Sequence, residues 1–207
     1  MIPCPDGTTI IPRPTDGPST DDNTSLTTST QASTTETPDN TCPGTDFEAA
    51  CDSLNDSTQE DDKFKCLHTA RHNKVRELHQ NTPSLSMVEE LNPGAQAWAD
   101  DLASRDAFEH ADSGDRPNQG ENLYLAWTSR TLTGDDLSRW VIAKSTDAVQ
   151  SWYDEIEDYN WATPNGPHSG VVGHFTQVVW TSSVELGIGY KTYRVYLQNV
   201  AIKAENS

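Results

Sequence analysis

The sequence predicts an α+β fold in which helices pack on a small sheet. Three segments carry apolar residues at helical spacing, and the C-terminal segment alternates in the manner of strands. A stretch rich in Thr, Ser, Pro and Asp precedes them and has too few large apolar side chains to form a core. We therefore expect a mostly disordered, cysteine-containing region over residues 1–63 and one folded domain over residues 64–203.

Three helices are expected, over residues 65–80, 92–108 and 146–159. The second begins at Asn92-Pro93, a helix-capping residue followed by a first-turn proline. The three apolar stripes consist of Leu67, Ala70, Val75 and Leu78; of Ala95, Trp98, Ala99, Leu102 and Ala103; and of Ala148, Val149, Trp152, Ile156 and Tyr159.

The strands are expected near the C-terminus and in the middle of the chain. Side-chain character alternates along residues 186–190 and 194–200, which are rich in β-branched and aromatic residues. A turn is predicted between these strands, near Lys191-Thr192. Residues 122–127 are a further candidate strand.

The net charge of −18 and the isoelectric point near 4.4 limit the kinds of partner. Nucleic acid and anionic membrane surfaces would repel such a chain. No apolar run approaches the ~20 residues that span a bilayer. The charge therefore disfavours binding to nucleic acid or to an anionic membrane surface. The missing apolar run disfavours a transmembrane segment.

The cysteines indicate an oxidising compartment. None has the spacing of a zinc site, so two disulfides are expected, with three pairings open. The chain starts without the basic and apolar segments of a signal peptide, so we expect a fragment or mature form of a secreted protein. The Thr/Ser/Pro stretch is typical of an O-glycosylated stalk. Disulfide candidates are Cys4, Cys42, Cys51 and Cys66, and N-glycosylation candidates are Asn23 and Asn55.

Four residues are candidates for one polar cleft. Glu155 lies at the edge of the apolar stripe of the third helix, where a carboxylate needs a partner. Glu121 follows Gly120 at the start of a candidate strand, His110 follows the second helix, and His174 lies in an apolar segment. Two neutral imidazoles can hold a divalent ion such as zinc, and two carboxylates can orient the rings.

Two other arrangements of histidine and serine are less favoured. His68 and His72 are four apart on the first helix and could share a metal, but with no third ligand evident they are expected at the surface. Ser169 and His174 with an acid could form a hydrolase triad, but the chain has no G-x-S-x-G motif. The H-E-x-x-H motif of zinc proteases is missing too.

Five ordered motifs over residues 67–195 resemble the CAP superfamily, which includes cysteine-rich secretory proteins, venom antigens and plant pathogenesis-related proteins. The last is nearly a complete copy of the family's G-H-[FY]-T-Q-x-x-W motif. The motifs are His72-Asn73 with Arg76; Ala95-Gln96 with Trp98-Ala99; Gly120-Glu121-Asn122-Leu123; Trp152-Tyr153-Asp154-Glu155-Ile156; and Gly173 to Trp180.

The resemblance implies a three-layer α-β-α sandwich with a central cleft. It also implies that His110, Glu121, Glu155 and His174 form the family's cleft tetrad, whose two histidines can take a divalent metal, often zinc. The chain departs from the family in having no cysteine after Cys66, in which it is similar to the Golgi-associated branch, and in lacking the late C-N-Y-x-P-x-G-N motif.

The leading functional interpretation is a secreted binding protein that holds a lipid, a sterol or a protein ligand, with a metal at His110 and His174. The motifs contain no identifiable nucleophile, so this interpretation favours a binding protein over an enzyme. One alternative is a metal-assisted hydrolase acting on peptides, with Glu121 or Glu155 as base. The other is a structural or interaction module in which the tetrad only ties the helices to the sheet.

Overall fold

The computed structural model describes residues 2–3, 9–10, 48–193 and 196–205. In these residues, four helices and four strands form an α-β-α sandwich, confirming the predicted fold class. A separate pair of two-residue strands, β1 (Ile2–Pro3) and β2 (Thr9–Ile10), is antiparallel. Cys4, Cys42, Asn23 and the Thr/Ser/Pro stretch lie outside the described residues.

The main sheet has the strand order β3-β5-β6-β4. Strand β3 (Ser86–Met87) runs parallel to β5, and the other neighbours are antiparallel. The longer strands are β4 (Gln119–Trp127), β5 (Ser183–Tyr193) and β6 (Tyr196–Glu205). The turn predicted near Lys191-Thr192 is wrong, because both residues pair with β6 within β5. Strand β4 forms one edge of the sheet, and this edge carries the candidate site.

Successive residues of β5 face opposite helical layers. Leu186 and Ile188 are buried in a core shared with helices α1 (Glu60–Arg76), α3 (Asp135–Asp154) and α4 (Gly173–Val178). On the opposite face, a Cβ at Gly189 would lie 2.3 Å from the backbone nitrogen of Gln96, and a Cβ at Gly187 would lie 2.4 Å from Cβ of Leu91. The glycines therefore allow the second helix to approach the sheet backbone closely.

Helix α1 spans Glu60–Arg76 and begins five residues before the predicted start. Its first turn is acidic (Glu60, Asp61 and Asp62) and its last turn holds Lys74 and Arg76, which suits the helix dipole. Because these first residues are polar, the spacing of apolar residues could not predict that the helix begins here. A disulfide joins Cys66 to Cys51, which precedes the helix.

Helix α2 spans Asn92–Arg105 and starts at the predicted residue. It ends three residues earlier than predicted, because Asp106 adopts a left-handed conformation with φ of 53°. The backbone nitrogen of Ala107 then bonds to the carbonyl of Leu102, which closes the helix. Phe108 consequently lies in a loop and is half exposed.

Helix α3 spans Asp135–Asp154 and starts eleven residues before the prediction. It continues as a 3-10 turn over Glu155–Asp158, so Glu155 lies at the end of the α-helix and not within it. Val141, Ile142 and Ser145 extend the buried face toward the N-terminus. A short helix α4 (Gly173–Val178) follows.

Arg76 ties α1 to the segments around α4 and β5. Its side chain is fully buried and donates to the carbonyls of Pro83, Val178, Trp180 and Ser183 at 2.8–2.9 Å. Burial lowers the pKa of the guanidinium to about 10. Backbone carbonyls thus hold this charge deep in the domain.

Candidate functional site

The candidate site consists of two glutamate–histidine pairs at the β4 edge of the sheet. His110 follows α2, which packs on one face of the sheet, and Glu121 lies on β4 itself. Glu155 follows α3, and His174 lies in the first turn of α4, on the opposite face. The structure brings together all four residues selected from the sequence.

In the first pair, one oxygen of Glu121 makes both contacts to the His110 segment. Oε1 accepts from Nδ1 of His110 at 2.6 Å and from the backbone nitrogen of Ala111 at 3.0 Å. The Glu121 side chain is 0% exposed, whereas that of His110 is 53% exposed. A buried carboxylate therefore fixes a histidine that faces solvent.

In the second pair, Glu155 uses both oxygens. Oε1 accepts from Nδ1 of His174 at 2.6 Å, and Oε2 accepts from the backbone nitrogens of His174 at 2.9 Å and Phe175 at 3.1 Å. Both N–H groups lie in the first turn of α4, where they have no partner within the helix, and the residue before the helix provides no side-chain cap. Glu155 thus caps α4 and orients the histidine in its first turn.

The two histidine rings lie close together. Their centroids are 6.3 Å apart, and Trp152 lies against the His174 ring at a centroid distance of 6.3 Å, with the planes 22° apart. The indole nitrogen of Trp152 donates to the carbonyl of Leu123, and the side-chain nitrogen of Asn122 donates to the carbonyl of His174. Both contacts join the β4 edge to the layer that holds His174.

The hydrogen bonds to the two carboxylates set the tautomer of each histidine. A carboxylate only accepts hydrogen bonds, so Nδ1 of each ring carries the proton and Nε2 keeps its lone pair when the ring is neutral. With Zn–N bonds of about 2.1 Å, two imidazoles on one tetrahedral zinc have ring centroids roughly 5 Å apart. The rings, at 6.3 Å, would therefore have to move about 1 Å closer to share one ion. Among the described residues, no group of three or more His, Cys, Asp or Glu side chains could hold a metal. A cation at this site would therefore have two protein ligands and take its other ligands from solvent or a bound molecule.

The expectation that His68 and His72 lie at the surface is wrong. His68 and His72 are fully buried, not at the surface, because this face of α1 packs against α3; Nδ1 of His68 donates to the carbonyl of Ser145. Ser169 donates to Asp158 at 2.7 Å. The hydrogen bonds described include no contact between Ser169 and His174, so no hydrolase triad is formed among these residues.

Three residues at the site were not selected from the sequence as parts of it. Asn122 and Trp152 lie in the motifs that contain Glu121 and Glu155. Their hydrogen bonds join two layers of the fold, which a sequence motif does not reveal. Arg116 lies in the loop between His110 and Glu121, where Nε donates to the carbonyl of Ala111 at 3.2 Å. No sequence pattern marks this single arginine in a polar loop as part of a site.

Comparison with known proteins agrees with the fold and the motifs. The family described as CAP, the cysteine-rich secretory protein family, matches residues 69–200, and the chain belongs to this family. Human Golgi-associated plant pathogenesis-related protein 1 is 36% identical over 118 residues, covering 57% of this chain and 66% of the relative. Human cysteine-rich secretory protein 2 is 34% identical over 128 residues, covering 58% and 45%. The chain thus spans less than two thirds of the length of these relatives.

One solved structure of an SCP-type protein shows the same fold. The crystal structure of Na-ASP-1 superposes with a TM-score of 0.51 at 19% identity, covering 68% of this chain and 38% of that one. The structure of NaASP2 with Zn²⁺ is a more distant neighbour, with a TM-score of 0.48 at 16% identity over 79% of this chain and 83% of that one. The zinc is a property of that protein.

No helix among the residues that the structure describes is both long enough and apolar enough to cross a membrane.

Proposed function

We propose that this chain is an exported CAP-domain binding protein whose cleft holds a divalent cation between His110 and His174. The observation that carries the proposal is the pair of carboxylates that lock both histidines through Nδ1, with the rings 6.3 Å apart. Such carboxylate–histidine pairs set the tautomer and ring direction that a metal ligand needs. When bound, the cation supplies a Lewis acid with open positions that can accept a donor atom of a ligand.

The carboxylates favour binding over hydrolysis. Both oxygens of Glu155 accept hydrogen bonds from the His174 segment, and the one engaged oxygen of Glu121 holds His110. The other oxygen of Glu121 is buried. Neither carboxylate is thus placed to act as a base toward a bound substrate, and a metal-assisted hydrolase would need one that is.

The ligand that we propose is a lipid, a sterol or a protein segment. Half-exposed Phe108 lies two residues before His110, and exposed Val171 lies three residues before His174. Apolar side chains therefore accompany both histidines along the chain, and they suit a ligand with an apolar part.

Export is supported by the disulfide between Cys51 and Cys66, since disulfides persist in oxidising compartments. Its relatives include cysteine-rich secretory protein 2 and salivary antigen-5. Asn55 is exposed, as a glycosylation acceptor must be, and glycosidase treatment of the secreted protein would reveal a sugar there as a mass change.

Calorimetric titration with Zn²⁺ tests the metal site. We expect one ion to bind per chain, and we expect His110→Ala and His174→Ala each to weaken binding at least tenfold. His168→Ala is the matched control, because His168 stacks on Tyr159 and has no contact with the tetrad among those described. Equal zinc affinity in the wild type and in His174→Ala would overturn the proposal.

Native mass spectrometry of the secreted protein tests the ligand. A co-purifying lipid or sterol mass, lost on extraction with organic solvent, supports a lipid carrier. A co-purifying polypeptide supports a protein ligand. A secreted protein that carries neither a lipid nor a polypeptide would contradict ligand binding. The tetrad would then only tie the helices to the sheet.

A further inference from the structure

The loop between His110 and Glu121 is closed by one arginine. Nε of Arg116 donates to the carbonyl of Ala111 at 3.2 Å, and Nη1 donates to the carbonyl of Gln119 at 2.8 Å. Residue 111 directly follows His110, and residue 119 is the first residue of β4, the strand that carries Glu121. A single planar guanidinium thus bridges the start and the end of the loop.

Arg116 also supplies charge near a buried carboxylate. Its Nε lies 4.0 Å from Oε1 of Glu121, and its side chain is 21% exposed. The other oxygen of Glu121 is buried and has no hydrogen-bond partner in the described structure. Among the described ion pairs, Arg116 and His110 are the cationic partners of Glu121, and only the arginine is permanently charged.

The two histidines differ in how their backbones are held. His174 lies in a helix, its backbone nitrogen bonds to Glu155 and its carbonyl accepts from Asn122. His110 lies in a loop, where the next residue, Ala111, is held by Glu121 and by Arg116. Loss of Arg116 should therefore affect His110 and not His174.

We propose that Arg116 is a positioning residue: it keeps the 111–119 loop closed so that His110 stays on Glu121 before a ligand arrives. The inference rests on the proposed function for its effect on metal binding, but the state of His110 can be measured without metal. By holding the Ala111 carbonyl, the guanidinium sets the backbone from which the His110 ring reaches the carboxylate.

The first test is nuclear magnetic resonance of the histidine rings in metal-free protein. In the wild type, long-range ¹H–¹⁵N spectra should show both rings protonated at Nδ1. In Arg116→Gln, we expect the His110 signals to shift toward a mixture of tautomers while the His174 signals stay unchanged. Arg139→Gln is the control, because Arg139 is an exposed arginine paired only locally with Asp136. Unchanged His110 signals, or equal changes at both rings, would overturn the proposal.

The second test is Zn²⁺ titration of the same variants. We expect Arg116→Gln to weaken binding about tenfold, in the range typical of residues that orient a metal ligand. If that variant does not fold, Arg116→Lys serves instead, because lysine keeps the charge but cannot bridge both carbonyls in the same plane. Zinc binding that Arg116→Gln and Arg116→Lys leave unchanged refutes the positioning role. No zinc binding in the wild type, with the His110 change still present, refutes the proposed metal site and leaves the role of Arg116 supported.

Discussion

Glu155 holds His174 at two places, the imidazole and the backbone nitrogen. Oε1 accepts from Nδ1 of the ring at 2.6 Å, and Oε2 accepts from the backbone nitrogen of the same residue at 2.9 Å. Glu121 repeats the ring contact with His110 and accepts from the backbone nitrogen of the following residue. In both pairs, one carboxylate sets the ring direction and also fixes the segment that bears the ring.

Glu155→Gln should therefore lower both stability and metal affinity. The amide can still accept from the backbone, but its NH₂ group cannot accept the proton of Nδ1. We expect a loss of about 1–2 kcal/mol in the free energy of unfolding and a 10–100-fold loss of zinc affinity. Urea denaturation and calorimetry measure the two effects. Glu157→Gln, an exposed change in the same 3-10 turn, should alter neither; a similar loss in both variants would contradict this role of Glu155.

Arg76→Met should strongly destabilise the domain. The methionine fills part of the volume but leaves four carbonyls from Pro83, Val178, Trp180 and Ser183 without their donor. We expect a loss of about 3 kcal/mol or more in the free energy of unfolding, measured by urea denaturation. Lys74→Met, at an exposed position on the same helix, should change it by less than about 0.5 kcal/mol. Equal stability of the two variants would show that the carbonyls find other partners.

Gly189→Ala should disrupt the contact between α2 and the sheet. The added Cβ would lie 2.3 Å from the backbone nitrogen of Gln96, and backbone cannot move aside as a flexible side chain can. We expect a loss of about 1–3 kcal/mol, typical of overpacking. Gly94→Ala, within α2, has nothing within 4 Å of its added Cβ and should be neutral or stabilising by up to about 1 kcal/mol. Thermal unfolding compares them, and a stable Gly189→Ala variant would contradict the close approach.

Stability should fall above about pH 10, the pKa of tyrosine in an unfolded chain. Burial raises the pKa of Tyr153, whose hydroxyl lies 2.9 Å from Nε2 of His79. Because the unfolded state loses this proton first, the contribution is complete below pH 10 and declines as pH rises toward the folded-state value.

Tyr153→Phe isolates this effect. The variant should lose stability with pH less steeply than the wild type, by up to about 1.4 kcal/mol per pH unit. Urea denaturation between pH 9 and 11 measures the difference, and subtracting the two curves removes groups common to both, including Arg76. Parallel curves would show that Tyr153 does not titrate differently on folding.

The spacing of apolar residues predicted that the helices exist but not where they begin and end. The stripe containing Ala148, Val149 and Trp152 predicted α3, but the eleven residues before it were missed, since Asp135 and Asp136 begin the helix with charge. The end of α2 depended on Asp106 adopting positive φ, which aspartate allows but does not require. Helix existence was thus predictable from periodicity, and helix ends were not.

The fold class and the four residues of the candidate site could be predicted from the sequence, because periodicity, motif spacing and residue chemistry are local properties of the chain. Three features emerge only from the folded structure: the burial of His68 and His72, the disulfide between Cys51 and Cys66, and the closure of the loop beside His110 by Arg116. Each of these depends on which face of one element meets another. Such contacts join residues whose separation in sequence carries no periodic signal, so packing alone determines them.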